Sequence, residues 1–150
     1  MKMRINIVEP KYLADQHLLA EYNELNMVAQ SFRRSVLFKT GIDNLPKRYT
    51  LNSGHVKFFY DKGEYRYRRF YSLKKELKNR GFNVTQVFKN YWLFRTELFK
   101  DWTPEPDDYK IIFERINQKI LQKPSWYRYH RKPIDENYID NLKQYIECVE

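Results

Sequence analysis

The feature that most constrains this chain is a helical period running through its N-terminal quarter. From Tyr12 to about Phe38 the apolar residues Leu13, Leu18, Ala20, Tyr22, Leu25, Val28, Phe32 and Val36 recur at mostly three- and four-residue spacings, which puts them on one side of a helix. Pro10 precedes this run and Gly41 follows it, as helix boundaries favour. Gly41, Asn44 and Pro46 mark a loop. Val56-Lys57-Phe58-Phe59-Tyr60 can pass for a strand, but it leads into a charged helical stretch from about Glu64 to Arg80 that stops at Gly81. A third helix is expected over Pro106–Gln122, with Asp107 and Asp108 in its first turn, where the helix dipole favours acids. A fourth is expected over Asp135–Val149, with Ile139, Leu142, Tyr145, Ile146 and Val149 on one face. No internal repeat and no dividing linker is visible. The spacing therefore predicts an all-α fold: one compact domain over 1–150, with three to four main helices, long loops and a C-terminal helical extension at about 135–150.

Composition sets the remaining bounds. The 150 residues suit one domain with a real core, and 42% hydrophobic residues argue against disorder. No apolar stretch approaches the ~18–20 residues of a membrane span. Met1-Lys2-Met3-Arg4-Ile5-Asn6 lacks the apolar core of a secretory signal. One cysteine, Cys148, excludes an internal disulfide framework and a cysteine-rich metal site. The expectation is a small, reduced, soluble cytoplasmic domain. Its 28 Lys+Arg against 19 Asp+Glu leave a net charge of +9, spread over most of the chain. Aromatics reach 17%, and many sit beside a Lys or Arg. Cations that neutralise phosphates and rings that stack on bases suit nucleic acid; a Lys-rich surface around an aromatic core is the plainer alternative.

Few motifs for chemistry are present. There is no Gly-rich phosphate loop, no metal-spaced Cys or His pair and no nucleophile elbow. His17, His55 and His130 are isolated and read as structural. On the first helix Gln16, His17 and Asn23 form a polar strip, and Glu24, eight residues from Gln16, lies close to the same face. On a basic protein such a carboxylate serves as an acid/base or pairs with an arginine. Val56–Tyr60 reads as core, and Arg66, Arg68 and Arg69 read as a solvated face that can extend a phosphate track. In Trp126-Tyr127-Arg128-Tyr129-His130-Arg131-Lys132, Trp126 and Tyr129 are expected in the core, and Tyr127 and Arg128 are expected to face a groove.

Several blocks together resemble one family. Arg4-Ile5-Asn6, Ala14-Asp15-Gln16-His17-Leu18 and Ala20-Glu21-Tyr22-x-Glu24-Leu25 are similar to the start of the phage-type pyrimidine-dimer DNA glycosylases with AP lyase activity. The likeness continues through Gly54-His55-Val56-x-Phe58-Phe59-Tyr60-Asp61-Lys62 and Arg80-Gly81-Phe82-Asn83. It resumes at Arg115, Lys119-Ile120, Pro124-x-Trp126-Tyr127-x-Tyr129 and Lys132.

The resemblance implies a mostly helical enzyme without metal or cofactor. It acts as a monomer on double-stranded DNA carrying damaged or modified bases or abasic sites. An N-terminal α-amine would attack C1′, with Glu24 as the essential carboxylate and Met3 at the nucleophile's position. Arg4, Gln16, His17, Asn23, Arg115, Lys119, Tyr127, Arg128 and Lys132 would contact DNA. Met3 supplies the α-amine if translation starts there; with Met1 as the start, Lys2 Nζ becomes an outside candidate. Two arginines of the family's first helix are here Asn23 and Met27, so another modified base, or a non-catalytic DNA-binding relative, are the alternatives.

Overall fold

The computed structural model describes residues 4–37, 45–51, 53–89 and 96–148. Met3, the first helix's expected end at Phe38, Gly41 and Asn44, and Val149 lie outside the described residues. In chain order the elements are a 3₁₀ turn (Pro10–Tyr12), α1 (Asp15–Glu24), α2 (Met27–Leu37), α3 (His55–Phe58), α4 (Gly63–Asn79), a second 3₁₀ turn (Thr96–Leu98), α5 (Pro106–Gln122), a hairpin of β1 (Arg128–Tyr129) and β2 (Lys132–Pro133), and α6 (Glu136–Cys148). The fold is all-α, with this two-stranded hairpin its only sheet among the described residues.

The helices rest on apolar stripes. α5 buries Ile112, Ile116 and Ile120, α6 buries Tyr138, Leu142 and Ile146, and the two pack together. On α6 this face is turned from the expected one, leaving Ile139 and Tyr145 partly buried at its edge. α1 lies against α4, with Leu18, Tyr22, Phe70, Leu73 and Leu77 between them. Phe59 is fully buried in an aromatic cluster with Tyr49, Tyr65 and Trp102. α5 spans the residues that the spacing predicts, and Asp108 Oδ2 accepts the Glu105 N–H at its start (2.9 Å).

Three local expectations are corrected. The periodic run from Tyr12 is two helices, not one. Leu25 N–H still reaches Glu21 O (2.9 Å), but Val28 N–H turns back only to Leu25 O (3.2 Å). Asn26 at the break donates to Val87 O (3.0 Å) and accepts Lys89 N–H (2.9 Å), so its carboxamide serves a distant segment as a backbone surrogate. Second, Val56–Tyr60 is helical and then turns: Phe58 N–H bonds Gly54 O (2.9 Å) and Phe59 N–H bonds Val56 O (3.1 Å). Phe58, Phe59 and Tyr60 are all core, as expected. The third concerns the arginine run. Arg66 and Arg69 are buried and only Arg68 is exposed, paired with Asp101.

Gly81 ends the α4 segment at φ +86°, a conformation that favours glycine. At Gly63 a Cβ would meet Phe99 Cδ2 at 2.5 Å, so glycine permits the close approach beside the Lys62–Phe99 bridge.

Two buried ion pairs tie these elements together. Arg69 Nε and Nη2 donate to the two oxygens of Glu21 (2.6 and 2.9 Å), joining α4 to α1. Arg80 Nη1 donates to Asp15 Oδ1 and Leu13 O (both 2.8 Å). Asp15 also accepts His130 N–H (3.1 Å) and Arg131 N–H (2.7 Å). Those two residues form the hairpin turn with φ of +51° and +67°, a strained choice for non-glycine residues that Asp15 compensates.

Removing one member of the Arg69–Glu21 pair strands a charge in the core. Arg69→Met is expected to lower unfolding stability by about 3–5 kcal/mol, read from urea denaturation midpoints; a loss below about 1 kcal/mol would contradict the assignment.

Candidate active site and nucleic-acid interface

The site begins with the N-terminal segment, which is clamped residue by residue. Ile5 N–H donates to His55 Nε2 (2.8 Å) and Ile5 O accepts the Tyr49 hydroxyl (3.0 Å). Asn6 N–H donates to Glu21 Oε1 (2.9 Å), and Val8 O accepts Arg69 Nη1 (2.6 Å). Between them Ile7 is held at φ +49°, costly for a β-branched residue, with Val8 N–H turned back onto Asn6 O. The buried ion pair therefore serves the N-terminal segment as well as the helices.

This clamp brings Arg4 to a cleft of about 280 Å³. α1 supplies Gln16, His17, Ala20, Glu21 and Glu24, one face of the helix. α5 supplies Arg115, Ile116 and Lys119, and the chain before the hairpin supplies Trp126 and Tyr127. Seven residues singled out in the sequence thus meet around one space: Arg4, Gln16, His17, Glu24, Arg115, Lys119 and Tyr127.

Two carboxylates, Glu24 and the Arg69-paired Glu21, face the cations Arg4, Arg115 and Lys119 around the cleft. Burial raises the Glu24 pKa above its ordinary value, so it holds a proton more readily. Burial, and then the neighbouring Arg115, lower that of Arg4. Burial, with Lys119 next, drives His17 down to about 4, leaving a neutral imidazole against the Tyr127 ring (centroids 4.8 Å apart). Among the described residues its Nδ1 meets no hydrogen-bond partner. No group of three or more His, Cys, Asp or Glu among the described residues is arranged to hold a metal.

Other expected contacts fall differently. Gln16 uses its amide internally, donating to Trp126 O (2.6 Å) and accepting Arg128 N–H (2.9 Å). Gripping the chain on both sides of residue 127 turns Tyr127 inward and Trp126 outward. Tyr127 is 5% exposed and Trp126 55%, the reverse of the expectation. Tyr129 is half-buried, and Arg128 folds back onto Ser125 O (3.2 Å). Lys132 stands exposed on β2, away from the cleft's lining. Asn23 is exposed, its Oδ1 accepting Gln86 Nε2 (3.1 Å), and Met27 packs against the core.

Sequence reasoning passed over Glu21, Arg69 and His55 as parts of the site. His55 is buried, with Nε2 accepting Ile5 N–H and Nδ1 2.8 Å from Thr50 O. Only the neutral ring protonated on Nδ1 satisfies both. The block Gly54-His55-Val56 was its one signal, and that signal carried resemblance without a role.

The cleft thus sets the partly buried Glu24 among cations, beside a clamped N-terminal segment. The family model for pyrimidine dimer DNA glycosylases matches residues 3–90, from the clamp through α4 to the segment that Asn26 holds. The chain belongs to that family, and its class is accordingly a DNA repair glycosylase acting on damaged DNA. Arg115, Lys119, Trp126 and α6 lie beyond the matched part. No helix among the described residues is long and apolar enough to cross a membrane.

Burial lowers the pKa of His55 and His17 to about 4 from the ordinary 6.5. The unfolded chain therefore takes up protons first, and this stability is complete above pH 6.5 and drains away as pH falls toward 4. Urea midpoints should drop between pH 6.5 and 5, where carboxylates contribute little, and His55→Asn should flatten the profile. Unchanged wild-type midpoints over that range would refute neutral, buried histidines.

Proposed function

We propose that the chain is a glycosylase with associated AP lyase activity, in which an α-amine at residue 3 is the nucleophile and Glu24 the acid/base. The observation that carries this reading is the clamp: Ile5 and Asn6 are pinned by His55 and Glu21, and Arg4, next to residue 3, lines the same cleft as Glu24. An α-amine titrates near ~7.7–8.0, against ~10.4 for a lysine, so a useful fraction is neutral at pH 7. Arg4, Arg115 and Lys119 around the cleft favour the neutral form further.

In this reading the amine's lone pair forms the N–C1′ bond, and the C1′–base bond breaks with its electrons leaving on the base. The Glu24 carboxylate stabilises the positive charge that develops on the sugar. The ring oxygen departs with a proton, giving an iminium ion. Removal of a C2′ proton then expels the 3′ phosphate, the elimination that nicks the strand. Glu24, its pKa raised by burial, is suited to deliver and collect these protons.

The remaining cleft residues hold the substrate. Arg115 and Lys119, one turn apart on α5, reach adjacent phosphates. Trp126, exposed at the rim, is the ring available to wedge into a kinked duplex, in place of Tyr127. Arg4 and His17 face the nucleotide, and Gln16 acts by fixing Trp126 and Arg128. Asn23 keeps its Nδ2 donors for a base edge, while Arg128 and Lys132 lie outside the cleft for more distant phosphates. Asn23 also supports a second reading of specificity, a modified base other than a pyrimidine dimer, because its other amide atom is held by Gln86. The mechanism requires a free α-amine on residue 3, hence a chain that starts at Met3, which intact mass and N-terminal sequencing of native protein test.

Borohydride trapping on an abasic-site duplex tests the mechanism. We expect a covalent protein–DNA complex with the wild type, and loss of strand scission by at least about a hundredfold in Glu24→Gln. DNA binding without any adduct would mark a non-catalytic relative. Neutralising Arg115 or Lys119 should each reduce the slope of log affinity against log salt by about one unit; an unchanged slope would remove that residue from the phosphate contacts.

A further inference from the structure

Beside Glu24, the flank of α1 carries a pair of carboxamides. Gln86 Nε2 donates to Asn23 Oδ1 (3.1 Å), and both side chains are exposed. Gln86 is held there through its main chain: its N–H donates to the Tyr22 hydroxyl (2.8 Å), and its carbonyl accepts Lys74 Nζ (2.7 Å). Asn26 fixes the next residues, at Val87 O and Lys89 N–H. α1, the break after it and α4 therefore all hold the backbone of 86–89. The Gln86 carboxamide is thus set against Asn23 before any partner arrives.

The one hydrogen bond leaves complementary groups over. Among the described residues, the Asn23 Nδ2 donors and the Gln86 Oε1 acceptor meet no other partner. A donor stands beside an acceptor, and neither residue carries charge. A phosphate offers only acceptors, whereas a base edge can set a donor and an acceptor side by side.

The position of the pair decides which edge it meets. Asn23 is the neighbour of Glu24 on α1, and Gln16, which holds Trp126, lies seven residues or about 10 Å earlier along the helix. That length is about three base-pair steps of roughly 3.4 Å. With the target sugar at Glu24, the carboxamides lie beside an adjoining base pair. The two glycosidic bonds of a base pair mark its minor-groove edge, so a cleft that closes on C1′ presents these amides to the minor groove. Every pair offers acceptors there, and only guanine adds a donor, its 2-amino group. Asn23 Nδ2 suits the acceptors common to all pairs, and Gln86 Oε1 suits the one group that differs. We propose that Gln86 is a specificity-determining residue that, with Asn23, reads the guanine 2-amino group of the base pair next to the target nucleotide. The inference rests on the glycosylase reading for the place of the target sugar.

Affinity for duplexes carrying a tetrahydrofuran abasic analogue tests it, because binding needs no reaction. The pair flanking the analogue, on each side in turn, is G·C or hypoxanthine·C, which differ only by that amino group. A·T against 2,6-diaminopurine·T repeats the comparison with the amino group added. We expect the full chain to bind the amino-bearing duplex about tenfold more tightly on one side. Gln86→Leu, which removes the acceptor and leaves the main-chain anchors, should bring that ratio to about one, and Asn23→Leu should reduce it. No difference on either side, or a difference that survives Gln86→Leu and so comes from the DNA, would overturn the inference. Borohydride trapping on an abasic duplex separates this from the catalytic reading. An adduct without amino-group discrimination would refute the inference alone, and discrimination without an adduct would refute the catalysis alone.

Discussion

The structure depends on one buried ion pair. Arg69 and Glu21 face each other across α4 and α1 with almost no access to water, and each spends its remaining hydrogen bond on the N-terminal segment, at Val8 O and Asn6 N–H. Burial alone would lower the pKa of the guanidinium, but the Glu21 carboxylate raises it above its ordinary value. An apolar pair of similar volume would pack the same gap, at little cost or even a gain in stability. It would offer nothing to the backbone of residues 6 and 8. The pair's specific contribution is therefore position: it converts helix packing into a fixed path for the chain entering the cleft, strained enough to hold Ile7 at positive φ.

A second polar centre does the same for the opposite wall. Asp15 and Arg80 join the start of α1 to the end of α4, and Asp15 then holds the hairpin turn by two backbone N–H groups. Gln16, the next residue, holds the chain at 126 and 128. α1 thus divides its labour by face. Asp15, Leu18 and Tyr22 look into the protein, Gln16, His17, Ala20 and Glu24 line the cleft, and Glu21, buried on Arg69, borders both. One helix supplies both the framework and the carboxylate, so displacements between them stay small.

What was legible in the sequence follows the range of the forces involved. α4 and α5 were readable almost to their ends, because a 3.6-residue period, an acidic first turn and a stopping glycine are local signals. The break between α1 and α2 was not, since Asn26 finds its partners 61 and 63 residues away. Arg66 and Arg69 looked like a solvated run because nothing near them in sequence reports Glu21, 48 residues back from Arg69. The exchange of Trp126 and Tyr127 has the same origin, as the residue that orients them lies 110 positions earlier. At the site, seven of the residues singled out in the sequence line one cleft. Their gathering was legible through family resemblance, whereas the clamp behind them needed the three-dimensional arrangement.

In the proposed mechanism this clamped segment delivers a backbone amine to a sugar carbon beside Glu24. Peptide mapping of the borohydride-reduced adduct by mass spectrometry addresses it most directly. The deoxyribose remnant is expected on the α-amine of the peptide that leads into Arg4-Ile5-Asn6. A remnant on a lysine Nζ elsewhere in the chain, with the N-terminal peptide unmodified, would contradict it.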